Sequence, residues 1–158
     1  MNWAARIVVL TILLMLAGSG LGCRTLPQLP PADFSTPGWR VRQGQALWKP
    51  RARRPELAGE ILLATHSSGD FFVQFTKTPF PLATARTAGG RWQIEFGAGQ
   101  RAWHGRGEPP SYFVWFQLPK ALAGQSLARG WRCVRVTTND WRLENSRSGE
   151  TLEGSFGP

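Results

Sequence analysis

Hydrophobic and polar residues alternate with a period of two along most of the chain. Trp39 to Trp48 alternates loosely, and Leu57 to Thr65 forms a second such run. In Phe71 to Lys77 the residues Phe71, Val73 and Phe75 share one face, with Gln74 and Thr76 opposite. Leu82 to Thr87, Arg91 to Phe96 and Arg101 to Gly105 continue the pattern, with Trp92, Ile94 and Phe96 on one face. Alternation of this kind marks half-buried strands. Turn clusters separate the runs: His66 to Asp70, Gly89-Gly90, and Gly97 to Gln100. Such short connections make antiparallel hairpins. Thr78-Pro79-Phe80-Pro81 interrupts the ladder, because neither proline can donate to it.

The character changes after Gly107. Glu108-Pro109-Pro110-Ser111 reads as a helix start, and Tyr112 to Leu122 is nearly all apolar. Pro119 limits a regular helix, so the pattern predicts one near 110–118, continuing as a kinked turn to Ala123. A helix apolar all round is buried on several sides, as a plug in the mouth or on the concave face of a curved sheet would be. Strand periodicity returns in Trp131 to Thr137, Trp141 to Asn145 and Glu150 to Phe156. The fold class is mainly β (α+β): a curved antiparallel sheet, or half-barrel, of about nine strands with one apolar helix packed on it. A single domain over 39–158 is expected.

The chain before it reads differently. Arg6 is followed by the uncharged run Ile7 to Gly22, with small residues at its end and Cys23 directly after. A basic start, an apolar stretch and a small-residue exit are the parts of a secretion signal, assigned to 1–22. The run falls slightly short of the roughly 20 residues that span a bilayer comfortably. Cys23 at this place resembles the acceptor of bacterial lipoproteins, whose thiol takes a diacylglycerol; the match holds at Gly22 and Cys23, while Gly20 stands where that pattern has Leu. Residues 24–38 are rich in proline and read, with the lipidated Cys23, as a tether over 23–38. Cys133, the other cysteine, is then expected as a buried thiol.

Eight Trp and nine Phe supply ample core without disulfides. The net charge of +9 suits an anionic partner, and the export signal turns that expectation away from nucleic acid. The densest basic cluster is Lys49, Arg51, Arg53 and Arg54, read either as contact with anionic headgroups or as a solvated loop. Catalytic chemistry is sparse. His66 and His104 are the only histidines, no Cys/His cluster could ligate zinc, and the carboxylates are scattered. Gly124 to Ala128 is one residue off a nucleophile elbow and follows a helix instead of a strand. No enzyme activity, metal or cofactor is expected.

The tether, curved sheet, late helix and final hairpin, with Gly99-Gln100-Arg101 before a short strand and Leu118-Pro119 within Ser111 to Leu122, resemble the half-barrel family of the bacterial lipoprotein-carrier system. The similarity is greatest to its outer-membrane receptor, itself a lipoprotein, and covers about Trp39 to Phe156. It implies an envelope protein, lipid-anchored to the outer membrane and facing the periplasm, that holds a lipid or the acyl chains of another lipoprotein in an apolar hollow. The hollow would be lined by Phe71, Val73 and Phe75, by Trp92, Ile94 and Phe96, and by Trp115 of the helix. Phe80, between two prolines, would be the protruding residue that hands lipid to the membrane. A monomer is expected. The rival reading is an interaction lipoprotein whose core is filled and whose basic surface or sheet edges bind an envelope partner.

Overall fold

The computed structural model describes residues 28–157 apart from Ala98, Val136 and Thr138. Cys23, the expected signal and the start of the expected tether lie outside the described residues. Strands β1 (Trp39–Lys49), β2 (Leu57–His66), β3 (Phe71–Lys77), β4 (Phe80–Ala88), β5 (Arg91–Phe96) and β6 (Arg101–Arg106) follow in succession. Helix α1 (Val114–Leu122) comes next, then β7 (Trp131–Arg135), β8 (Asp140–Asn145) and β9 (Thr151–Phe156). All nine strands join one curved, unclosed sheet in the order β6-β5-β4-β3-β2-β1-β9-β8-β7. Every neighbouring pair is antiparallel. β1 is an interior strand, because β9 returns to pair with it opposite β2.

Period-two alternation sets the two faces. Ile61, Phe75 and Ala83 lie in register across β2, β3 and β4, and Leu63, Val73, Ala85 and Ile94 form the next inward row. Helix α1 covers this concave face, burying Val114, Trp115, Phe116, Gln117 and Leu118. Phe75, Val73, Ile94 and Leu118 are fully enclosed between sheet and helix. Glycines seat aromatic rings at three inward positions: Gly59 under Phe75, Gly105 under Trp92 and Gly154 under Trp141.

Three expectations are corrected. The helix begins at Val114, later than 110, because Pro109 to Tyr112 returns the chain from the end of β6 to the opposite end of the sheet before it coils. It also runs through Pro119 to Leu122; proline at the sixth position removes one ladder bond, and the Ala123 N–H closes the last turn on the Pro119 carbonyl at 3.0 Å. β4 begins at Phe80 instead of Leu82: Pro81 pairs with Thr76, and the register shift between Phe75 and Thr76 leaves Leu82 as the extra residue of a bulge.

The segment 28–38 is also no free tether. Leu29 is buried, and its N–H donates to Gln93 Oε1 at 2.9 Å. Arg86 donates to the Leu29 and Pro30 carbonyls at 2.6 Å each. Phe34 packs edge-on against Trp39 and Phe72. Gln93 and Arg86 point away from α1, so this segment straps the convex face, and the folded unit begins before Trp39. Cys133, expected buried, is half-buried on β7 and packs against the core.

Candidate ligand pocket

Antiparallel register gathers particular connections at one end of the sheet. The end of β1, the start of β2, the β3–β4 turn, the start of β6, the entry of α1 and the β8–β9 connection all lie there. At this end the helix has just begun, so it cannot fill the space between the sheet's two flanks. The result is a recess of about 730 Å³. Its apolar wall comes from Trp48, Phe96, Trp103, Phe113, Trp115 and Trp131.

The rings contact one another. Trp115 stacks on Phe75 with centroids 5.5 Å apart and meets Trp48 edge-on at 5.0 Å. Phe96 lies 5.8 Å from Phe113 and 5.9 Å from Trp103. Trp131 donates its indole N–H to the Ser111 carbonyl at 2.9 Å, tying β7 to the helix entry. Trp48 donates its own to Glu150 Oε1 at 2.9 Å. Burial pushes the Glu150 carboxyl up to about 7, against the opposing effects of that hydrogen bond and of the Arg51 charge. The Trp115 Nε1–H is buried without an acceptor among the described residues.

The seven residues expected to line a hollow are divided by the structure. Phe96 and Trp115 line the recess. Phe75 lies behind Trp115, while Val73 and Ile94 belong to the filled middle of the core. Trp92 packs half-buried against Phe116 at 5.9 Å and Phe71 meets Phe116 at 6.0 Å, both toward the end of the sheet away from the recess. Between the two ends, Phe75, Trp115 and Phe116 are packed in the core, each at most 1% exposed. At the far end Arg40, Arg42, Leu63, Phe71 and Lys120 border a more polar recess.

Phe80 is 66% exposed at the β3–β4 turn, on the same end as the aromatic recess. In the basic cluster, Lys49 lies 3.8 Å from Glu56, Arg51 lines the recess, and Arg53 and Arg54 are exposed beside it. Trp48, Phe113, Trp131 and Glu150 were not singled out from the sequence. Trp48 and Trp131 were legible as inward-phase strand positions. The place of Phe113 and Glu150 depends on how the chain enters α1 and leaves β8, which periodicity does not encode. Compared with known proteins, the chain matches no protein-family model and no curated protein.

Proposed function

We propose that this chain is an envelope lipoprotein that holds an acyl-bearing ligand, a lipid or an acylated protein, in the aromatic recess. The observation that carries the reading is the coincidence, at one end of the sheet, of an aromatic recess, an exposed Phe80 and a basic loop. An acyl chain gains about 0.8 kcal/mol for each CH₂ it buries, so a recess of this size retains one without covalent chemistry. Phe80, exposed at the same end of the sheet, suits contact with a bilayer, into which the chain could be released. A lipid on Cys23 would anchor the protein to the membrane, in this reading the outer membrane with the domain in the periplasm. The strap is fixed from Leu29 onward, so such an anchor would keep the domain within about 20 Å of the bilayer surface.

The packed middle of the core favours one rival, an interaction lipoprotein that binds an envelope partner and no lipid. Native mass spectrometry of the full chain purified from a bacterial envelope separates the two. Co-purified lipid or acylated peptide, lost in Trp48→Glu and Phe113→Glu variants that keep the wild-type circular dichroism, supports the acyl reading. A clean unliganded mass, with no uptake of an offered acylated peptide, sinks it and leaves the interaction reading.

A further inference from the structure

Four arginines reach the aromatic recess from four separate segments. Arg51 comes from the β1–β2 connection, Arg101 from the start of β6, Arg129 from the approach to β7 and Arg147 from the β8–β9 connection. Several other cations of the molecule have partners. Arg132 and Arg142 bind Glu144, Arg142 also binds Glu153, Lys120 binds Glu108, and Arg86 holds the strap. None of the four at the recess forms an ion pair or a side-chain hydrogen bond among the described residues.

Glu150 is the carboxylate of this pocket, and it does not balance them. It is half-buried and committed to Trp48, and near neutral pH burial keeps it partly protonated. Like charges around a recess with low-dielectric walls repel one another, and a bound anion relieves that repulsion. Guanidinium also matches phosphate and carboxylate oxygens in paired hydrogen bonds. Trp115 lines the same recess, and its buried indole N–H has no acceptor among the described residues.

We infer that the recess selects anionic amphiphiles, taking the apolar chain against Trp48, Phe113 and Trp115 and the phosphate or carboxylate head among Arg51, Arg101, Arg129 and Arg147. This inference rests on the acyl-binding reading and adds the headgroup to it. The ligand class is an acyl or alkyl chain bearing a phosphate or carboxylate, as in an anionic lipid.

Titration calorimetry on the full chain in peptidiscs tests it, with octyl phosphate, octyl glucoside and inorganic phosphate as probes. Octyl phosphate is expected to bind at least about tenfold more tightly than octyl glucoside, as one added charge-assisted contact implies. The preference should shrink several-fold between about 50 and about 500 mM salt, as screening shortens. Arg101→Gln and Arg129→Gln should each lower it by about tenfold. Arg106→Gln, on the outward face of β6, should leave it intact. Equal affinity for the two octyl ligands overturns the headgroup inference and leaves the acyl reading standing. Inorganic phosphate matching octyl phosphate, with octyl glucoside silent, overturns the acyl reading and keeps an anion site. A preference that survives both pocket substitutions overturns its assignment to this recess. No binding by any probe overturns both readings.

Discussion

Glu150 lines the recess half-buried, and its carboxyl is held above the ordinary 4.5 at about 7. Between those two values the folded state binds more protons than the unfolded state, so stability falls as pH rises through that window. The thermal midpoint of the wild type is therefore expected to be lower at about pH 8.5 than at about pH 5.5. Glu150→Gln should flatten that slope, since its amide oxygen still accepts from Trp48. Equal slopes in the two proteins would show that Glu150 does not control it. Glu144 titrates outside this window, because Arg132 and Arg142 hold its carboxyl below the ordinary range. Gly154 is constrained sterically. A Cβ there would lie 2.5 Å from the Gln45 carbonyl oxygen and 2.9 Å from the Trp141 ring. The backbone oxygen cannot move without breaking the β1–β9 ladder. Gly154→Ala should cost about 1–3 kcal/mol in chemical denaturation, and a loss within experimental error would refute the close approach.

Among the elements, the strap departs furthest from its sequence. A proline-rich stretch with no period reads as a spacer, yet Arg86, Gln93 and Phe72 on the convex face give it partners. Burial lowers the Arg86 pKa, with Glu95 nearby opposing the shift. Replacing Arg86 by Ala removes the donor to two carbonyls and should release residues 28–38 while the sheet stays folded. Hydrogen exchange checks this: the Leu29 amide should lose protection, and the amides of β2 and β3 should keep theirs. Unchanged protection at Leu29 would mean that Arg86 is not what holds the strap. Helix α1 teaches a related lesson. Its apolar composition announced burial correctly, but its starting residue was set by the need for Pro109 to Tyr112 to cross back over the sheet.

On the scale of the whole molecule, one side chain joins the core to the recess. Trp115 is buried, stacks on Phe75, touches Trp48 and also lines the opening. Trp115→Ala should destabilise the protein by about 3–5 kcal/mol, the range for truncating a large buried aromatic. Denaturant unfolding measures this, and a loss under about 1 kcal/mol would place Trp115 outside the core. The unclosed sheet gives the molecule two flanks with a helix wedged between them. The wedge is short, so it fills the middle and leaves the ends open. The recess is therefore a consequence of helix length against sheet width, and not of a hollow core.

The sequence by itself determined the strands, their antiparallel pairing, the inward faces and the presence of one buried apolar helix. Those properties follow from local periodicity and turn chemistry, which neighbouring residues express directly. Tertiary structure alone decided that β9 returns beside β1, that Phe75, Trp115 and Phe116 fill the expected hollow, and that the strap lies on the convex face. It also decided that four arginines distant in sequence meet at one recess. Each of these depends on pairing between segments tens of residues apart, and on side-chain volume in a shared space, which no local pattern records.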